Sequence, residues 1–226
     1  MSPKPNIIYL HGLGSGPRSQ KGVLVTEYFT SRGYEVSLPT ISVPSLAELS
    51  PKAAINVVVR EIRAQRGRDL ILMGSSFGAF VAIHAINSLT PDEQAHVVRV
   101  VLLAPALNPW DPKSGLLTPE RERAWREVGQ APVLDIETGR EVPVHYQFVE
   151  ELRVLDSRSV RLSMPVLIIH GTEDEVVPVS QSQEFASSRE GVSLQLVPDT
   201  HQLLKNPTKM LESIERFILS DSTDSR

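Results

Sequence analysis

Short apolar runs alternate along the chain with longer segments in which apolar positions recur every three to four residues. The runs "NIIYL" (6–10), "YEVSLP" (34–39), "DLILM" (69–73), "VVRVVLLA" (97–104), "PVLIIH" (165–170) and "VSLQLV" (192–197) read as β-strands. The helical period predicts helices over 19–33, 51–65, 77–89, 180–188 and 207–220. Ser19 is placed to cap the first helix and Gly33 to close it, and Pro51 suits the first turn of the second. The helix over 77–89 is apolar on most sides, which predicts burial. Continuously apolar strands separated by helices predict a mostly parallel sheet covered on both faces, a three-layer α/β fold.

One stretch breaks this rhythm. About sixty residues separate the strand ending near Ala104 from the one starting at Pro165, far more than an ordinary connection. They contain a charged helical stretch, "TPERERAWREVG", and "PVLDIETGREVPV", in which "ETG" reads as a turn between two short strands. The expectation is one domain over 1–226 with a cap inserted at about 108–160. Trp110, Trp125, Tyr146 and Phe148 stand out in its charged sequence. An amphipathic piece of this kind covers something apolar, so Trp110, Trp125 and Phe148 are candidates for lining a substrate pocket. The competing reading is that these aromatics fill a small core of the insertion itself.

Composition narrows the function classes. At 226 residues, 41% hydrophobic and 22% charged, the chain has the makeup of a soluble globular domain. A net charge of -4 argues against nucleic acid as partner, because phosphate recognition needs clustered positive charge. With no cysteine there is no thiolate nucleophile or thiolate metal site, and a reducing cytoplasmic location fits. The five-residue apolar segment near the N-terminus is too short for a secretory leader. "VVLLAPAL" is likewise too short for a membrane span.

The stretch "DLILMGSSFGAFVAIHAI" (69–86) carries the chemistry. "GSSFG" (74–78) has the pattern G-x-S-x-G, placed after a strand and opening a helix. A serine on so sharp a turn has a strained backbone, and neighbours bearing a Cβ would crowd it. A serine hydroxyl needs a general base and a carboxylate that orients the base. Asp174, in the turn after the penultimate strand, and His201, in the turn after the last, complete the order serine, acid, histidine. In a parallel sheet, loops that follow strands emerge at one edge, so Ser76, Asp174 and His201 are expected to converge. Spacing alone leaves Glu173 and Glu175 open as the acid. His11 and His170, each before a glycine at a strand end, suit structural hydrogen bonds.

An acyl-transfer transition state also needs an oxyanion hole. The N–H of Phe77, just after the serine, is one candidate donor; the N–H of Leu13, in the loop "HGLGSGP" (11–17), is the other. That loop also looks like the start of a dinucleotide fingerprint. Pro17 stands where its third glycine belongs, and the second strand ends in Leu38 and Pro39 rather than an acid, which argues against a nucleotide. There is no H-E-x-x-H and no other metal-ligand cluster, so no metal is expected.

The segments "HGLGSG", "GSSFG", "HGTEDEVVP" and "DTH" resemble, in order and over nearly the whole chain, the α/β-hydrolase superfamily. Within it, "YLHGLGSGPRSQKGVLV" resembles the small bacterial YqiA-type esterases, in which a P-R-S-x-K run follows the oxyanion loop. Here that run is Pro17, Arg18, Ser19, Gln20 and Lys21. The resemblance implies cofactor-free hydrolysis of carboxylic ester or thioester bonds, with small or medium acyl substrates, through an acyl-enzyme. It assigns Ser76 as nucleophile, His201 as base and Asp174 as orienting acid. Rivals are other chemistries of the superfamily (C–C bond hydrolase, lipase, peptidase, perhydrolase) and a catalytically silent scaffold that only binds.

Overall fold

The computed structural model describes residues 3–110 and 117–220; residues 111–116 of the expected insertion lie outside this range. In chain order the elements are β1 (Asn6–Leu10), α1 (Gln20–Thr30), β2 (Val36–Ser37), α2 (Pro51–Ala64), β3 (Leu70–Ser75), α3 (Phe77–Asn87), α4 (Pro91–Gln94) and β4 (Val97–Leu103). There follow α5 (Pro119–Val128), β5 (Gln130–Asp135), β6 (Arg140–His145), α6 (Gln147–Arg153), β7 (Val166–Gly171), α7 (Ser180–Ser187), β8 (Val192–Val197) and α8 (Pro207–Leu219).

Six strands form one parallel sheet in the order β2-β1-β3-β4-β7-β8. Strand alternation sorts its side chains onto two faces. Ile8, Leu10, Leu72, Val100 and Ile168 pack with α2 and α3, while Ile7, Tyr9, Met73, Val101 and Ile169 pack with α1 and α8. Helix α3 is buried almost throughout, as its all-round apolarity predicts. Its His84 donates from Nε2 to Ser157 Oγ at 3.1 Å, while the Ser157 hydroxyl donates to the Leu107 carbonyl, which ties α3 to the far end of the β4–β7 connection. Burial pulls the His84 imidazole down to about 4.

Two differences from the sequence reading have simple causes. The strand expected over 34–39 pairs only at Val36 and Ser37, because it is an edge strand and Pro39 cannot donate to a ladder. Helix α4 sits in "TPDEQ", where Thr90 and Glu93 form a reciprocal capping box.

The β4–β7 connection holds α5, the antiparallel β5–β6 hairpin and α6. Asp135 Oδ1 accepts from the N–H groups of Glu137 and Thr138 and shapes the hairpin turn. The buried Glu122 carboxylate binds the Tyr146 hydroxyl at 2.9 Å and the guanidinium groups of Arg126 and Arg153, each at 2.5 Å. These bonds join α5 to the segment that leads out of the hairpin. The connection is also fastened to the body. Ser50 Oγ donates to Glu151 Oε2 at 2.6 Å, and the His145 N–H donates to the Ala47 carbonyl at 2.9 Å. At the hairpin tip, the Ile136 N–H donates to the Gly14 carbonyl at 2.7 Å.

Candidate active site

Strand order reverses between β1 and β3, and a crevice forms where the chain leaves such strands in opposite directions. Register pairs Leu10 with Gly74, so the loop after β1 and the turn after β3 emerge side by side. Ser76 occupies that turn at φ 53° and ψ -117°. A non-glycine residue in this region carries about 1–3 kcal/mol of backbone strain. The surroundings hold it there: the Ser76 N–H donates to the Leu103 carbonyl at 2.9 Å, and its own carbonyl accepts from Ala79 and Ala106. The two glycines of the motif are required by close approach. A Cβ at Gly74 would meet the Gly78 carbonyl oxygen at 2.5 Å, and one at Gly78 would meet the His11 carbonyl oxygen at 2.5 Å.

The acid and the histidine meet as their loops predict. Asp174, with its side chain fully buried, accepts from His201 Nδ1 at 2.8 Å on Oδ2. Because an ionised carboxylate only accepts, Nδ1 carries the proton and Nε2 is left free to accept one. Asp174 Oδ1 accepts from the N–H groups of Val176 and Val177 at 2.8 and 2.7 Å. Burial alone would raise this carboxyl, but bonds from His170, His201 and the Val177 N–H outweigh it and hold the group well below the usual carboxylate range. Glu173 instead reaches Lys205 at the surface, 2.6 Å away. Asp199 accepts from the N–H groups of Thr200 and Lys205 and shapes the turn before His201.

Sequence reasoning missed the part played by His170. Its Nε2 lies 3.1 Å from Asp174 Oδ2 and 3.0 Å from the Val177 carbonyl, both acceptors, while Nδ1 lies 2.6 Å from Ser182 Oγ. This ring is a structural histidine, and its bond goes to the same acid as that of His201. The spacing His170–Asp174, four residues across a strand-to-turn corner, was the available signal. His11 is structural too: its Nε2 accepts from the Ile41 N–H at 3.2 Å, and burial lowers its pKa.

Ser76 and His201 line two cavities that meet at the serine; no hydrogen bond joins their side chains among the described residues. One cavity, about 360 Å³, is walled largely by apolar groups, among them Trp125, Val133, Phe148 and Leu152 from the β4–β7 connection. Leu13 and Phe77 line it as well, and the N–H of neither has a backbone acceptor among the described residues. The other, about 450 Å³, lies toward α1 and sets serine hydroxyls, Gln20 and Lys21 among apolar groups such as Leu134 and Leu204. Trp110 stands apart from both. Its indole N–H donates to the Leu155 carbonyl at 3.1 Å, and its ring lies under the Arg158 guanidinium, so the side chain serves the connection's own packing. A larger cavity of about 560 Å³ against α7 is lined by neither Ser76 nor His201. No described helix is long and apolar enough to cross a membrane.

Comparison with known proteins agrees with this architecture. A protein of Mycoplasma pneumoniae named "Putative esterase/lipase 1" is 21% identical over 249 residues, covering 96% of this chain and 92% of that one. The structure of mouse alpha/beta hydrolase domain-containing protein 10 superposes with a TM-score of 0.78 at 21% identity, over 95% of this chain and 89% of that one. A Paleococcus ferrophilus monoacylglycerol lipase gives 0.71 at 14% identity, over 95% of each chain. At these identities the likeness establishes the fold, which is the α/β-hydrolase fold. Residues 6–218 match the uncharacterised protein family UPF0227, and the chain belongs to that family.

Proposed function

We propose that this chain is a serine hydrolase that cleaves carboxylic ester or thioester bonds of small or medium acyl groups through an acyl-enzyme. One observation carries the reading: a serine in a strained strand-to-helix turn opens onto the same cavities as a histidine whose other ring nitrogen is bonded to a buried carboxylate. The name of the Mycoplasma relative points to the same broad class.

In this reading Ser76 Oγ attacks the substrate carbonyl carbon while His201 Nε2 takes the hydroxyl proton. Asp174 stabilises the imidazolium that forms and keeps its ring in register. The N–H groups of Leu13 and Phe77 receive the developing oxyanion. Collapse of the tetrahedral intermediate breaks the bond to the alcohol or thiol, which leaves with the proton from His201. Water then repeats the sequence on the acyl-enzyme and releases the acid. The β4–β7 connection acts as a cap whose Trp125 and Phe148 help wall the acyl pocket.

The test is a chain-length panel of p-nitrophenyl esters and acyl thioesters, with Ser76→Ala as control. Turnover by the wild type and a loss of roughly 10⁴-fold or more in the variant are expected. Retention of a tenth of wild-type turnover by Ser76→Ala would overturn the nucleophile assignment.

A further inference from the structure

The run Pro17–Lys21 has no task in the proposed mechanism, yet it is built into the site. Ser19 caps α1 by accepting from the Gly22 N–H. Lys21 is only 8% exposed, unusual for a lysine, and its Nζ donates to the His201 carbonyl at 3.2 Å. That carbonyl is the one hydrogen-bond acceptor of the ammonium among the described residues, although the group carries three donors. Asp174 and Asp199 act on it through space, but their oxygens are already engaged by His201, His170 and backbone N–H groups. Burial therefore dominates and pulls the Lys21 ammonium down to about 8. A buried cation so placed lacks a close counter-charge.

Lys21 lines the cavity of about 450 Å³ toward α1, together with Ser15, Ser19, Ser75 and the catalytic pair proposed above. Among the described residues no aspartate, glutamate or arginine lines it, so Lys21 is the one lysine or other fixed charge on its wall. Ser76 thus stands between an apolar chamber under the connection and a hydroxyl-rich chamber with one buried cation.

Resting on the serine-hydrolase reading, we propose that the preferred substrate is an acyl ester of a hydroxy acid: the acyl chain enters the apolar chamber, and the carboxylate of the leaving group is bound by Lys21 and neighbouring serine hydroxyls. The reaction balances as ordinary ester hydrolysis. The Ser76 Oγ–acyl bond forms, the acyl–oxygen bond to the hydroxy acid breaks, and His201 returns the serine proton to the leaving oxygen. Water then cleaves the acyl-enzyme.

The experiment compares an acyloxyacetate with its neutral acyloxyacetamide, using the acyl length that the ester panel favours, and reads the ratio of the two kcat/KM values. The wild type should prefer the carboxylate by roughly tenfold or more, as expected for a charge-assisted contact. Lys21→Met should bring the ratio near one and Lys21→Arg should keep most of it; using the ratio cancels any change that either variant makes to the His201 loop. A wild-type ratio of one or below overturns the proposal whatever the variants do, as does an undiminished ratio in Lys21→Met. Those outcomes leave the esterase reading standing. Failure of the whole ester panel, with no labelling of Ser76 by a fluorophosphonate, removes both.

Discussion

Asp174→Asn puts the proposed triad to its sharpest test, because the carboxylate's four hydrogen bonds fix what an amide would do there. Its Oδ1 accepts from two backbone N–H groups at 2.8 and 2.7 Å, and its Oδ2 from His201 and His170 at 2.8 and 3.1 Å. An asparagine has one oxygen and one NH₂, so one side must set donor against donor. If the NH₂ replaced Oδ1 it would oppose two backbone N–H groups that cannot rearrange, at about 1–3 kcal/mol for each buried group left unpaired. If it replaces Oδ2, His201 escapes by moving its proton from Nδ1 to Nε2 and the His170 Nε2–H keeps the Val177 carbonyl at 3.0 Å, so this orientation wins. Nε2 can then no longer take the serine proton, and kcat should fall by roughly 10⁴-fold. The assay is steady-state hydrolysis of the best p-nitrophenyl ester, beside urea unfolding to show that the variant is folded. Glu173→Gln and Glu175→Gln serve as controls and should keep most activity. A folded Asp174→Asn protein with more than a tenth of wild-type kcat would refute the reasoning.

Further outcomes follow from other parts of the structure. Gly78→Ala drives a Cβ into the backbone carbonyls of Leu10 and His11 and should cost at least about 2 kcal/mol in urea unfolding; a loss under half of that would mean the elbow has slack. The folded protein keeps His84 neutral down to about pH 4, whereas the unfolded chain takes up that proton near 6.5, so His84 lowers stability as pH falls between these values and has no effect above them. From pH 7 to 5 this amounts to about 2 kcal/mol, which His84→Gln should abolish; equal pH dependence in both proteins would contradict the assignment. Trp125→Ala should lengthen the preferred acyl chain, each added CH₂ being worth about 0.8 kcal/mol in the enlarged pocket, whereas Trp110→Ala should leave the chain-length profile unchanged. Identical profiles for wild type and Trp125→Ala would deny the connection a part in substrate choice.

The sheet was legible because its strands are short, apolar on both faces and separated by amphipathic helices, a pattern with few other solutions. The elbow was legible because Gly74, Ser76 and Gly78 fall within five residues of sequence, although the crowding that demands Gly78 comes from Leu10 and His11 of the neighbouring strand and loop. Long-range partners were not. The four-residue spacing from His170 to Asp174 permits the ring to turn back onto the carboxylate but does not require it, because that bond depends on how the chain folds at the corner. Trp110 and Trp125 look alike in sequence, both large and apolar in charged surroundings. Only the fold shows one indole bonded to Leu155 and away from both cavities, and the other walling the apolar chamber. Lys21 stands out in sequence only as the end of the P-R-S-x-K run, and its burial appears only once the fold closes over it.

The hydrogen bond from the Ile136 N–H to the Gly14 carbonyl joins the tip of the hairpin to the loop that follows β1. Gly14 follows Leu13, whose N–H is assigned to the oxyanion, and the Leu134 carbonyl occupies the space a side chain at position 14 would need. Any excursion of the hairpin wide enough to admit a bulky substrate must release this bond, and with it one brace of the loop proposed to hold the oxyanion. In the proposed mechanism access and catalytic competence would thereby be interlocked: a hairpin swung away to admit substrate would give up this brace, and one held in place would keep it. Turnover on bulky esters should then be limited by the hinge rate of the hairpin and become sensitive to solvent viscosity, while small esters that enter without displacing it escape that limit.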